Sequence, residues 1–225
     1  MEILLDSADP REVREVASHG LISGITTNPS LYANQARDVS IVDRLHELVE
    51  ASPGYVFTQV IGYQDVDAMI GQARWLSRQS EKIVVKLPMT VEGIDVLRML
   101  KREQPLIRLA VTTVSSVAQA LIVGKAGADV VALFNGPLDT VSDTPVEIVA
   151  TVKAIYSAWG YRTKILSCGR FPRGVGEYAA AGTDMVTMRH EYLNLAYEHP
   201  YTDKRLAGFM KDWVSAFGNA TWPQV

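Results

Sequence analysis

The sequence predicts an α/β protein with a single domain over residues 1–225, a (β/α)8 TIM barrel carrying an extra C-terminal helix. Three observations carry this expectation. Short apolar runs recur along the chain, each followed by a segment of helical periodicity. Eight such units fit into 225 residues, the compact end of the barrel range. No Pro/Gly/Ser-rich linker and no break in composition divides them. A doubly wound open sheet accommodates the same alternation and is the alternative.

The units run in order. Ile3–Asp6 is the first strand, and its helix begins with Asp9 as N-cap, Pro10 at the first helical position and Glu12 three after the cap. Ile22–Thr26 is the second, followed by Asn28-Pro29-Ser30 and helical segments through Val49. Tyr55–Val60 precedes a helix over Asp65–Leu76, and Ile83–Leu87 one over Val91–Lys101. Arg108–Thr112 leads to Ser116–Ala126. After Val130–Phe134 the helix is announced late, by the capping-box pattern Thr144-Pro145-Val146-Glu147. Lys164–Cys168 precedes a helix near Arg173–Ala181, and Met185–Met188 is the eighth strand. A last helix is expected from about Asp203 to Phe217, with Gly218 as its C′ residue. Leu206, Phe209, Met210, Trp213, Val214 and Phe217 form one apolar stripe on it, suited to the barrel floor or to a neighbouring subunit.

Composition narrows the function. The chain is 48% hydrophobic and 21% charged, which supports a substantial core and argues against disorder. A net charge of -3 without a basic stripe gives no reason to expect nucleic acid. The first residues lack the basic and apolar regions of a signal peptide, and no stretch approaches the ~20 apolar residues of a membrane helix. Cys168 is the sole cysteine, which excludes an intrachain disulfide and fits a cytoplasmic protein. Metal- and nucleotide-binding motifs are absent, so neither metal nor cofactor is expected.

Chemistry in such a barrel sits at the C-terminal strand ends. Those ends carry Asp6, Thr26 with Thr27 and Asn28, Gln59, Lys86, Thr112, Asn135 and Cys168-Gly169-Arg170. Lys86 follows three apolar residues, Ile83-Val84-Val85. Desolvation there favours the neutral amine, which is how a lysine becomes a nucleophile. The alternative is a strand-end lysine that snorkels to solvent. The set suits carbinolamine and imine chemistry: a lysine attacks a ketone, a carboxylate moves protons, and hydroxyls and amides hold a polyol. His19, His46, His190 and His199 all fall on predicted helices or helix ends, away from that rim. Cys168 reads as a small buried hydrophobe.

Several stretches together resemble the small transaldolases and fructose-6-phosphate aldolases. They include Leu5-Asp6-Ser7, Gly24-Ile25-Thr26-Thr27-Asn28-Pro29-Ser30, Val84-Val85-Lys86-Leu87-Pro88-Met89-Thr90 and Arg170-Phe171-Pro172-Arg173. The resemblance implies a cofactor-independent class I aldolase or transaldolase. Lys86 is then the Schiff-base lysine and Asp6 a proton-handling carboxylate, with a water relay held by Gln59 and Thr112. Thr26, Asn28, Phe134 and Arg170 are the implied substrate contacts. The partners implied are a ketose donor and an aldehyde acceptor, with the chain in a homo-oligomer, either pentamer or decamer. A non-catalytic sugar-binding relative with an altered pocket is the rival reading.

The departures from the family's pattern are specific. Gln59, Ala110 and Ala132 stand where transaldolases carry Glu, Asn and Ser, and look aldolase-like. Phe134 stands where the aldolases carry a Tyr that assists a water. Pro137 replaces an Arg that holds the substrate phosphate. Cys168 replaces a Ser, unless Ser167 takes that place, and Arg170 is left as the expected anion ligand.

Overall fold

Continuous apolar runs give each short strand two buried faces, and a parallel sheet covered on both sides uses both. The computed structural model describes residues 1–37, 39–135 and 145–223. Its strands are β1 Glu2–Asp6, β2 Gly24–Thr26, β3 Tyr55–Gln59, β4 Ile83–Pro88, β5 Leu109–Val114, β6 Val130–Leu133, β7 Lys164–Gly169 and β8 Met185–Met188. Each pairs in parallel with the next, and β8 returns to β1 through Glu2↔Met185 to Leu5↔Met188, closing an eight-stranded barrel. The open-sheet alternative is thereby excluded.

Ten helices surround it among the described residues: α1 Pro10–Ser18, α2 Pro29–Gln35, α3 Ile41–Ala51, α4 Val66–Ser77, α5 Val91–Glu103, α6 Val117–Ala126, α7 Pro145–Trp159, α8 Pro172–Ala180, α9 His190–Leu195 and α10 Pro200–Phe217. Asp9, Asn28, Ser40, Asp65, Thr90 and Ser116 each accept a backbone N–H of the turn they start. These caps fix where each helix leaves the barrel rim. Glu12 differs from expectation. Instead of closing a capping box on Asp9, it accepts from the Ser7 hydroxyl and from Gln35, while Ser7 Oγ takes the Asp9 N–H. The Thr144 cap lies outside the described residues; α7 begins at Pro145.

Two apolar layers result. Leu5, Val56, Val85, Leu87, Val111, Val131, Ile165 and Val186 face outward and pack on Val13, Leu48, Met69, Leu97, Val123 and Val149 of the helices. Leu4, Phe57, Val84, Ala110, Val130, Ala132, Leu166 and Met185 face inward and fill the lumen. Each large side chain so buried contributes roughly 1.5–3 kcal/mol. Two residues further along the same strands, on the same face, come Asp6, Gln59, Lys86, Thr112, Phe134, Cys168 and Thr187. The lumen filling is therefore the floor of whatever those residues form.

Several boundaries shift. β2 starts at Gly24, not Ile22, because Ile22 is buried outside the sheet before the strand begins. A Cβ on Gly24 would collide with the Tyr55 backbone, so only glycine lets β2 and β3 approach there. β5 runs on to Val114 through a register shift after Val111, with Thr113 at φ 60. α10 begins at Pro200 with His199 as its cap. No residue of α10 is buried, and Leu206, Phe209, Met210, Val214 and Phe217 are each at least 50% exposed, so the stripe does not cover the barrel floor. Among the described residues no helix is long and apolar enough to cross a membrane.

Candidate active site

The C-terminal strand ends enclose a cavity of about 490 Å³, within the usual range of small-molecule sites. Asp6, Thr26, Asn28, Gln59, Lys86, Thr112, Phe134 and Arg170 all line it. The four histidines lie outside its lining, on α3 or at the ends of α1, α9 and α10.

Lys86 is 6% exposed, with Val84, Val85 and Leu87 buried around it. Its Nζ does not snorkel to solvent; it donates to the Thr27 carbonyl at 2.6 Å. Burial pushes the Lys86 pKa down, against the opposing charges of Asp6 and Cys168. Burial pushes the Asp6 carboxyl up, against the Thr26 hydrogen bond and the charges of Lys86 and Arg189. The floor therefore biases both groups toward their neutral forms. Thr26 Oγ1 donates to Asp6 Oδ1 at 2.7 Å and lies 2.7 Å from Thr187 Oγ1. Thr26 has one hydroxyl proton, so with that proton on Asp6 the Thr187 hydroxyl must donate to Thr26. This chain of three groups joins β8, β2 and β1 across the rim.

The other lining residues have simpler settings. Asn28 Oδ1 caps α2 by accepting from Leu31 N at 3.0 Å, which leaves Nδ2 to face a ligand. Gln59 Nε2 donates to the Tyr63 hydroxyl at 3.1 Å. Thr112 is buried just before the β5 irregularity. Phe134 is 44% exposed and forms an apolar wall. Arg170 lies half-buried at the rim, two residues before α8.

Several positions were not anticipated. Thr187, Arg189, Tyr63 and Tyr192 also line the cavity. Cys168 is not a fully buried hydrophobe; it is partly exposed and faces the cavity, and burial pushes its thiol up to about 11. Ser167 cannot take its place. It is fully buried on the helix side of β7, with its hydroxyl 3.0 Å from that of Thr183. Arg173 is bound to Glu177 at 2.7 Å on the outside of α8. Asn135 is wholly buried, with Nδ2 donating to the Pro145 carbonyl at 3.3 Å. Pro137 lies outside the described residues.

The model of the family described as "Transaldolase/Fructose-6-phosphate aldolase" matches residues 3–220. The chain belongs to that family. A "Probable transaldolase" from Desulfitobacterium hafniense is 39% identical over 214 residues, covering 95% of this chain and 98% of the relative. Those from Kosmotoga olearia and Caulobacter vibrioides are 37% and 36% identical, covering 95% and 96% of this chain and 96% and 97% of theirs. Among solved structures, 2,3-dimethylmalate lyase superposes with a TM-score of 0.60 at 12% identity, covering 100% of this chain and 86% of its own. A mandelate oxidase mutant gives 0.59 at 15% identity, covering 96% and 74%. At such identity these two share the barrel alone. Of the positions where the sequence resemblance implied departures from the family pattern, Gln59, Ala132, Phe134 and Cys168 line the cavity and Ala110 lies in its floor.

Proposed function

We propose that Lys86 is the Schiff-base lysine of this enzyme and that the cavity above it cleaves a ketose. Family membership makes the chain an aldolase- or transaldolase-type enzyme acting on small sugar substrates, which removes the non-catalytic alternative. The observation that carries the residue assignment is the buried pair. An amine with a depressed pKa and a carboxyl with a raised pKa share one small cavity. Burial favours the neutral amine, whose lone pair can attack, and the protonated acid, which has a proton to give.

The neutral Lys86 amine attacks the C2 carbonyl, and Asp6 protonates the carbinolamine hydroxyl so that it leaves as water. The protonated imine then accepts the electron pair of the C3–C4 bond as that bond breaks. Asp6, now a carboxylate, takes the C4 hydroxyl proton directly or through a water held by Gln59 and Thr112. The product aldehyde departs, and a dihydroxyacetone unit remains on Lys86 as an enamine. Attack on an acceptor aldehyde, or protonation and hydrolysis, releases it. Thr26 and Asn28 hold substrate hydroxyls, Phe134 packs on the carbon chain, and Arg170 meets a terminal anion.

Borohydride reduction in the presence of a ketose tests the assignment. A stable mass gain at Lys86 is expected; its absence from protein that turns the ketose over would defeat it. We further propose a homo-oligomer, pentamer or decamer, with the exposed stripe of α10 at or near a contact. The single cysteine fits a cytoplasmic setting.

A further inference from the structure

β7 and β8 pair in parallel with Cys168 opposite Thr187 and Gly169 opposite Met188. The next position on each chain is Arg170 and Arg189. Neighbouring strands lie about 4.8 Å apart, so these two arginines leave the barrel side by side. Their parity agrees as well. Leu166 and Met185 fill the lumen, and Cys168 and Thr187 line the cavity. Arg170 and Arg189 continue the same alternation, and both line the cavity.

Two like charges set directly opposite each other on neighbouring strands destabilise a sheet unless a counter-charge sits between them. Among the described residues no carboxylate supplies one. Among the described residues neither guanidinium makes a hydrogen bond or an ion pair, and the sole carboxyl in the cavity lining is Asp6, already bonded to Thr26. The rim thus presents two paired guanidiniums, each a planar fork of N–H donors. One fork matches a carboxylate; two forks at neighbouring strand ends on one cavity match a group with three acceptor oxygens and close to two negative charges, a phosphate monoester. Loops after strands 7 and 8 are also where barrels of this class often hold phosphate.

We propose that Arg189 acts with Arg170 as a two-guanidinium site for the terminal phosphate of the ketose, making Arg189 a specificity-determining residue. The proposal rests on the reading that the ketose occupies this cavity. It also gives the chain a second cation at the rim independently of residue 137. Arg189 has a further reach: its charge is one of the influences that hold the Asp6 pKa down. A bound dianion that neutralises Arg189 therefore favours the protonated, acid form of Asp6, in the step where the carbinolamine needs a proton.

The test has two arms on the full chain. In the first, inorganic phosphate is titrated calorimetrically into wild type, Arg189→Gln, Arg170→Gln and the double variant. Each single variant is expected to weaken phosphate binding about tenfold or more, as the loss of a charge-assisted contact implies. The double variant should be no weaker than the product of the two singles. In the second, kcat/KM is compared for a 6-phosphorylated ketohexose and the same ketohexose without phosphate. Arg189→Gln should lower the preference for the phosphorylated sugar about tenfold or more, chiefly through KM, and Arg189→Lys should restore part of it. Arg189 is exposed, so its variants are expected to fold, and circular dichroism is the check. Unchanged phosphate affinity in Arg189→Gln, or an equal loss on both sugars, overturns the proposal. Loss of phosphate binding in Arg189→Gln without any borohydride-trapped imine in wild type would keep the anion site and defeat the Schiff-base assignment instead.

Discussion

Lys86→Met separates the chemical from the structural cost of the buried lysine. Methionine fills a similar volume without the amine. The substitution removes the hydrogen bond to the Thr27 carbonyl, a loss of about 1.5–3 kcal/mol for a charge-assisted bond. It also removes the desolvation of an ammonium, which costs several kcal/mol in a protein interior. The second effect is larger, so the variant should be more stable than wild type at pH 7 by about 1–4 kcal/mol. For a chain of this size that raises Tm by roughly 2–16 °C. The pH dependence follows from linkage. Because burial lowers the Lys86 pKa below 10.5, the unfolded chain binds more protons than the folded one between the folded value and 10.5. Wild-type stability therefore rises with pH across that window, and Lys86→Met lacks that rise. The variant's advantage should be full below the window and vanish towards pH 10.5. Thermal unfolding followed by circular dichroism from pH 6 to 10.5 measures this, while turnover and borohydride trapping on the same samples should fall to background. A variant less stable by a constant amount at every pH would refute the burial argument, and retained turnover in folded protein would take Lys86 out of the mechanism.

Asp6→Asn keeps the shape of the side chain but cannot cycle a proton, so turnover should fall ~10²-fold or more, measured by coupled assay. Because burial raises the Asp6 pKa, the folded chain binds more protons than the unfolded one just above pH 3.8, and wild-type stability falls as pH rises there. The Asn variant should thus be the more stable at pH 7 and lose that advantage as pH falls to 3.8, a crossing that chemical denaturation can follow. Gly24→Ala should destabilise by about 1–3 kcal/mol or fail to fold, since its Cβ meets the Tyr55 backbone and β2 must move from β3; a change under ~0.5 kcal/mol in urea melts would contradict that close approach. For α10, light scattering should give a particle several times 24.7 kDa, and a 24.7 kDa particle at micromolar concentration would rule out a stable oligomer.

The barrel was legible because its first five strands each announce themselves twice, by an apolar run and by a helix cap a few residues later. Asp9, Asn28, Asp65, Thr90 and Ser116 all cap helices that start within a few residues of a strand end. The closing pair β1–β8 joins residues more than 180 positions apart and has no local signal; only the count of eight units implied it. The same limit hid Thr187. Its contact with Thr26 spans 161 residues, and its run, Met185–Met188, reads as an ordinary apolar strand. Period-two parity from Met185 would have put Thr187 and Arg189 on the lumen face, just as it does for Lys86 from Val84. Ending the strand at Met188 obscured that continuation. The β5 irregularity is invisible in sequence because Thr113 is not a glycine, although its φ is positive. The fate of α10 was illegible for another reason. Its stripe is a sound signal of a surface that seeks cover, but periodicity does not say whether that cover comes from the same chain.

The apolar floor explains how an acid on β1 and a nucleophile on β4 can face one cavity with both biased toward their neutral forms. Leu4, Phe57, Val84, Ala110, Leu166 and Met185 close the lumen beneath the rim, so water reaches Lys86 and Asp6 only from above. That one-sided desolvation is the first cause of both shifts, and the two shifts run in opposite directions because the charged forms differ in sign. The mutual attraction of the charged forms opposes both, as does the Thr26 hydrogen bond on Asp6. A wetter floor would favour both charged forms and leave less of the neutral amine that the first step needs. The rim polar groups act on the same pair. Thr26 and Thr187 give Asp6 an adjustable proton donor, and Arg189 adds a positive charge that a bound anion can offset. The cavity is thus tuned by what sits beneath it as much as by the groups that face the substrate.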